Sequence, residues 1–232
     1  MSEIRRDIVD FHSHILPSAD HGSDSVATSL FQLSEASRSG VSRIIATPHF
    51  YPHRHTLEKF LSRREAAART LADAMGEGMP EIRLGAEVLV CEGIENLAGL
   101  DRLCIEGTRT LLLELPFSEF RDSYADSAKK LIRAGYDILL AHVDRYPAED
   151  IERMMEVGVN KLQINAESID KLIKPKHILK WVREGRAVAL GSDIHGKDKK
   201  AYRHFERARK VISETFDGFL NYSNEIWEKK VQ

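Results

Sequence analysis

Cysteine is almost missing from this chain. Cys91 and Cys104 are the only two in 232 residues, and no Cys-x-x-Cys pair occurs. A disulfide framework is therefore not expected, and a reducing, cytoplasmic compartment is the expectation. An excess of charge of one sign is also missing, since 34 Lys and Arg face 36 Asp and Glu for a net charge of -2. That argues against a surface that coats nucleic acid and against an acidic tail. No segment approaches 18 consecutive apolar residues, and Met1–Asp7 carries no apolar signal region, so membrane insertion is not expected. Low-complexity tracts and repeats of fixed period are absent as well. The length suits one α/β domain with a full core, expected to span residues 1–232.

What is present is an alternation of short apolar runs with longer amphipathic ones. The apolar runs start at Ile8-Val9 and recur at 42–47, 82–88, 110–115, 138–142, 161–165 and 187–190. Between them, Ser23 or Asp24 can cap a helix that Gly40 stops, and Thr56 can cap a long one running to about Gly76. A helix over about 122–134 precedes the fifth run, and Pro147 opens another that Gly158 closes. A C-terminal helix carries Tyr202, Phe205, Ala208, Val211 and Ile212 on one face. Seven strands alternating with helices imply a parallel sheet, and near-continuous apolarity implies cover on both of its faces. A closed or nearly closed β/α barrel is the economical architecture, with its site at the C-terminal ends of the strands.

Those strand ends carry the chemistry. His12 and His14 end the first strand, where residues two apart point to one face. His49 ends the second strand, Glu87 the third, Glu114 the fourth, His142 the fifth, and Asp193 with His195 the seventh. One His-x-His pair is as readily a hydrogen-bonded strand end as a ligand pair. Recurrence of ionisable groups at six of seven strand ends is not explained that way, because burying them without partners is costly. Imidazole mixed with carboxylate suits zinc, manganese or iron. Eight donors exceed what one ion can use, so two or three ions are implied.

Several stretches have a familiar form: Asp10-Phe11-His12-Ser13-His14-Ile15-Leu16-Pro17, Ala46-Thr47-Pro48-His49, Gly85-Ala86-Glu87, Leu113-Glu114, His142-Val143-Asp144-Arg145-Tyr146 and Gly191-Ser192-Asp193-Ile194-His195. Their order resembles the PHP (polymerase and histidinol phosphatase) superfamily. It resembles most closely the bacterial CpsB/CapC-type metal-dependent protein-tyrosine phosphatases, over nearly the whole chain. The resemblance implies a single-domain, distorted (β/α)7 barrel holding a trinuclear, manganese-preferring centre, with iron or zinc also suited. By residue-wise transfer, His12, His14, Glu87 and Asp193 hold one ion, and Glu87, Glu114 and His142 a second. The third takes His49, His195 and the residue before Gly22. There the family has Asp-Asp-Gly whereas this chain has Asp20-His21-Gly22, so His21 is the candidate ligand.

Arg145 matches the family's phosphate-binding arginine, a role that suits a guanidinium fork. With Glu114 and His49 it makes up the implied catalytic set. No residue aligns with the family's second arginine, and Arg203 is the nearest stand-in. Three divalent ions outweigh the three carboxylates, so the mouth attracts a dianionic phosphate. A metal-bridging water with its pKa lowered toward ~7 supplies the attacking hydroxide. Neither cysteine sits in the Cys-x5-Arg pattern of thiol phosphatases. The implied partner is a phosphotyrosine protein, the tail of a bacterial tyrosine kinase of exopolysaccharide or capsule synthesis, and the family includes ring-shaped homo-oligomers. The alternatives are a small phosphomonoester such as histidinol phosphate as substrate, or a regulatory module with little catalysis. Phe50, Tyr51, Phe117, Phe120 and Tyr146 follow rim positions and either flank an aromatic substrate or pack. The charged Lys171–Lys180 run is read as a solvated face, Trp181 and Trp227 as packing anchors, and both cysteines as small buried hydrophobes.

Overall fold

Strands that are apolar along their whole length must be covered on both sides, and the chain does this by curling its sheet. The computed structural model describes residues 8–171, 176–215 and 217–229. Met1–Asp7 and part of the Lys171–Lys180 run lie outside these. The elements are β1 (Asp10–Ser13), α1 (Val26–Arg38), β2 (Arg43–Ala46), β3 (His49–Phe50), α2 (Leu57–Ala74), β4 (Glu81–Leu84), β5 (Glu87–Leu89) and β6 (Thr110–Glu114). They continue with α3 (Asp122–Arg133), β7 (Asp137–Leu140), α4 (Ala148–Glu156), β8 (Lys161–Asn165), α5 (Ala166–Asp170), α6 (Lys176–Arg183), β9 (Ala187–Gly191), α7 (Ala201–Thr215) and α8 (Asp217–Glu228). Every residue of β1, β6 and β9 is buried.

The nine strands form one sheet in the order β3-β5-β6-β7-β8-β9-β1-β2-β4, and all neighbours are parallel. Seven were expected, and the difference has a local cause. Arg43 pairs with Glu81 and His49 with Glu87 in one unbroken register. Hydrogen bonds from Gly85 N to Ala46 O and from Glu87 N to Pro48 O bridge the gap. So β2 and β3 are two halves of one strand, interrupted at Thr47-Pro48, where proline lacks an N–H to donate. Likewise β4 and β5 are halves broken at Gly85-Ala86. Counting each pair of halves as one strand leaves seven, each with two parallel neighbours, because β1 pairs with both β2 and β9. The sheet therefore closes on itself as the (β/α)7 barrel expected from the sequence.

Two apolar clusters hold it. The larger lies between the sheet and its helices and contains Leu33, Phe60, Trp181 and Phe205. The smaller fills the barrel, where Val9, Phe11, Ile45, Leu112 and Leu139 meet Tyr222, Ile226 and Trp227 of α8. Phe11 stacks on Tyr222 at 5.2 Å. The C-terminal helix expected as one element is thus two, and α8 plugs the barrel interior. Helix capping differs in one detail: Ser25, not Ser23 or Asp24, caps α1 by accepting from Thr28 N at 3.2 Å. Thr56 caps α2 as read. Of the two free cysteines, Cys104 is buried and Cys91 half-buried. No described helix is long and apolar enough to cross a membrane.

Candidate metal centre

The barrel geometry brings the strand-end residues to one point. His12 and His14 are fully buried, with their Nε2 atoms 3.0 Å apart. What stands behind each ring fixes its tautomer. His12 Nδ1 lies 3.0 Å from Gln163 Oε1, which also accepts the His142 backbone N–H at 2.7 Å. His14 Nδ1 lies 2.7 Å from an Asp20 carboxylate oxygen. Both Nδ1 atoms therefore donate, and in the neutral rings both Nε2 atoms present lone pairs to each other. Two lone pairs at that separation repel unless a positive charge lies between them.

Glu87 is the centre of the cluster. Its Oε2 is 2.7 Å from His49 Nδ1, 3.1 Å from His12 Nε2 and 3.3 Å from His14 Nε2, and its Oε1 is 2.7 Å from His142 Nε2. Glu114 approaches His142 at 3.7 Å and His49 at 3.9 Å. Asp193 Oδ1 is 3.4 Å from His14 Nε2 and 3.5 Å from His195 Nδ1. Yet Glu87 Oε2, Glu114 Oε2 and His49 Nδ1 are buried without a hydrogen-bond partner among the described residues. Atoms so close but not aligned as donor and acceptor are aimed at a common point rather than at one another. Three sets of donors lie within 4.8 Å of one another: His12, His14 and Glu87; His49, Glu87 and Glu114; and His14, His49 and His195. The donor chemistry fits divalent cations.

The electrostatics agree. Burial works against charge on His12, but Glu87 and Asp193 outweigh it and raise this imidazole to about 9. Burial raises Glu87 and Asp193 too, but the facing histidines hold both carboxyls well below the usual range. Burial and the Glu87 charge push Glu114 up to about 8, and burial with the His14 charge brings His195 down to about 4. Two rim residues also sit in left-handed backbone, His142 at φ 29° and Asp193 at φ 50°. Only Ser18 shares this among the described non-glycine residues, and such conformations persist where the surroundings enforce them.

The remaining expected residues take different places. His21 is exposed at the mouth, its ring 4.8 Å from those of both His49 and His195. It lines the same cavity but belongs to none of the three donor sets. Arg145 reaches across the mouth, with Nη2 2.5 Å from Asp193 Oδ2. Arg203 turns away: its Nε donates to Lys199 O on its own helix end, and it does not line the cavity. Tyr51 stacks on His49 at 5.1 Å and Phe117 on His142 at 5.7 Å, and both line the cavity. Phe50 and Phe120 pack elsewhere, Phe50 against Phe60 and Phe120 against Tyr124.

Sequence reasoning missed the residues that orient the candidate ligands. Gln163 Nε2 donates to Asn165 Oδ1, and Asn165 Nδ2 donates to Asp193 Oδ2 at 3.1 Å. The sixth strand, the one without an ionisable end, thus supplies this framework. The signal was the Gln163-x-Asn165 alternation inside a buried strand. Asp10, raised to about 6 by burial, accepts from Ser192 N and Tyr202 Oη and ties β1 to the loop after β9. Asp20, recognised only as the neighbour of His21, accepts from His14 and from the His49 backbone N–H at 3.0 Å.

Comparison with known proteins places the fold. Residues 8–227 match the family model "Capsular polysaccharide synthesis, CpsB/CapC". Tyrosine-protein phosphatase YwqE of Bacillus subtilis is 31% identical over 145 residues, 60% of this chain and 55% of that protein. Tyrosine-protein phosphatase CpsB of Streptococcus pneumoniae is 23% identical over 229 residues, 90% of this chain and 91% of that one. A crystal structure from work on these two metal-dependent tyrosine phosphatases superposes with a TM-score of 0.74 at 22% identity, covering 96% of this chain and 95% of the other.

Proposed function

This chain belongs to the CpsB/CapC family, and we propose that it is a metal-dependent phosphatase hydrolysing phosphotyrosine in protein. The observation that carries the reading is the set of buried, unpartnered His and Glu atoms converging at the barrel mouth beside Arg145. We take residues 1–232 as one PHP-type domain. His12, His14, Glu87 and Asp193, then Glu87, Glu114 and His142, then His49, His195 and His21 are the proposed ligands of two or three ions, manganese preferred. When bound, such ions supply an activated water at neutral pH and neutralise the charge of the transferring oxygens. The chain's own contribution is binding and orientation. Gln163 and Asp20 hold the His12 and His14 lone pairs inward. Arg145 can leave Asp193 for a phosphate, whose planar pairs of oxygens its fork matches. Tyr51 and Phe117 stand where the ring of the leaving phenol passes. That phenol (pKa about 10) leaves more readily than an alkoxide, so the need for a general acid is weaker. A cytoplasmic phosphotyrosine protein of capsule or exopolysaccharide synthesis, the tail of a bacterial tyrosine kinase, is the proposed partner.

The test is metal content by mass spectrometry alongside hydrolysis of a phosphotyrosine peptide, before and after chelation and manganese re-addition. Two to three ions per chain with chelator-sensitive, manganese-restored turnover is the expected result. Full occupancy with turnover of histidinol phosphate but not of the peptide would move the substrate to a small phosphomonoester.

A further inference from the structure

The opening of the centre continues past Phe117 into a second chamber to which the proposed reaction gives no task. The first cavity, about 330 Å³, lies over the metal donors. The second, about 510 Å³, is walled by Phe117, Glu119, Tyr146, Glu149, Asp150 and Arg153. Pro116, Phe117 and Arg145 line both, so the two are parts of one cleft. Phe117 is 65% exposed, the most open large apolar side chain among the described residues. It is nevertheless held in place, stacked on Tyr146 at 5.3 Å as well as on His142. Tyr146 in turn donates its hydroxyl to Leu115 O at 2.8 Å.

The charges of this chamber do not cancel. Arg145 is engaged by Asp193, and Arg153 lies over the Phe120 ring and 3.9 Å from Asp122. The carboxylates of Glu119, Glu149 and Asp150 have no ion pair within 4 Å among the described residues, although the Arg153 charge acts on Asp150 from a distance. Glu149 and Asp150 fall in the first turn of α4, where the helix dipole favours acids. That accounts for two carboxylates but not for Glu119, the open aromatic face, or the continuity with the centre. An aromatic face beside carboxylates is the environment that binds an ammonium or guanidinium group.

We propose that this chamber is a subsite for a lysine or arginine next to the phosphotyrosine of the substrate polypeptide, with Phe117 and the three carboxylates as its specificity-determining residues. The inference rests on the phosphotyrosine reading above. Neighbouring residues of a polypeptide are 3.8 Å apart at Cα, so a side chain one or two positions away reaches the second chamber when the phosphate occupies the first.

The experiment compares two phosphotyrosine peptides that differ only in carrying Lys or Glu on each side of the phosphotyrosine, using metal-replete protein. Their phosphonate analogues, which cannot be hydrolysed, are titrated calorimetrically in parallel. The expected kcat/KM ratio is roughly tenfold in favour of lysine, the size of a partly exposed cation–π contact with carboxylate support. The preference should lie in KM, appear equally in analogue binding, and shrink at high salt. It should contract toward unity in Phe117→Ala and in the Glu149→Gln/Asp150→Asn pair. The pair is on the surface and keeps the test open should Phe117→Ala fold poorly. Equal kcat/KM for the two peptides, or a ratio unchanged in the variants, overturns the subsite alone. Hydrolysis of p-nitrophenyl phosphate with neither peptide turned over would sink the phosphotyrosine reading and the subsite with it.

Discussion

Gln163 illustrates how a neutral residue decides the behaviour of charged ones. Its carbonyl accepts from His12 Nδ1 and from the His142 N–H, so a single amide orients candidate ligands from the first and fifth strands. Gln163→Leu keeps most of the volume but leaves the His12 ring free to present either nitrogen. Loss of such an outer partner costs about 10–100-fold in metal affinity. Competition against a metal chelator should show that loss, and unchanged affinity would mean Gln163 only fills space. His21 makes the complementary case. His21→Ala should remove about one ion per chain in mass spectrometry, and His21→Asp should retain it, because a carboxylate at that mouth position restores the family's donor. Unchanged stoichiometry in the alanine variant would show that the ring, exposed and stacked on its neighbours, is not a ligand.

At the scale of elements, the alternation of apolar runs made the barrel legible, because strands covered on both faces need no polar alternation. The convergence of the strand-end residues was legible for the same reason: an ionisable residue ending an apolar strand has few structural excuses. The strand breaks were not, since Thr47-Pro48 looks like an end rather than an interruption and Gly85-Ala86 lies unmarked inside the 82–88 run. The outer framework was hidden because Gln163 and Asn165 carry no charge, and because their partners lie far away in sequence. The division of the C-terminal run into α7 and α8 was also hidden, as both faces read alike until α8 is seen to plug the barrel.

The break before Glu87 has its own support. Arg64 of α2 is buried, and its Nη1 donates to Gly85 O at 3.0 Å and to Arg102 O at 3.2 Å. Gly85 has little room of its own, as a Cβ there would lie 3.3 Å from an Ile45 methyl. Arg64→Leu would strand the buried Gly85 carbonyl, at about 1–3 kcal/mol for a buried unsatisfied group, and release the part-buried Arg102 carbonyl as well. The expected result is a lowered unfolding midpoint together with reduced metal content, because Glu87 lies two residues from the Gly85 carbonyl. Loss of stability at full metal occupancy would confine Arg64 to packing.

The whole molecule carries an electrostatic conflict that divalent ions at the proposed centre would resolve. In metal-free protein the folded state holds His12 at about 9 against an ordinary 6.5, and Glu114 at about 8 against 4.5. Both shifts are upward, so the folded chain binds protons more tightly than the unfolded one at these sites. Their stabilisation is complete below pH 6.5 for His12 and 4.5 for Glu114, and it is lost as pH rises through about 9 and about 8. Glu87 and Asp193 act oppositely, because their lowered carboxyls stabilise above the ordinary carboxylate range and lose that effect only in acid. Chelated protein should therefore lose stability steadily between pH 6.5 and 9. A bound cation must displace the His12 proton, so metal affinity should climb over the same interval by up to about tenfold per pH unit for each proton released. Manganese at about a thousand times its dissociation constant adds about 4 kcal/mol per site, or about 8–16 °C for a chain of this size. Unfolding midpoints across that pH range, with chelator and with manganese, should then diverge toward alkaline pH. Parallel curves would mean that the buried histidines keep their protons for one another rather than surrendering them to metal.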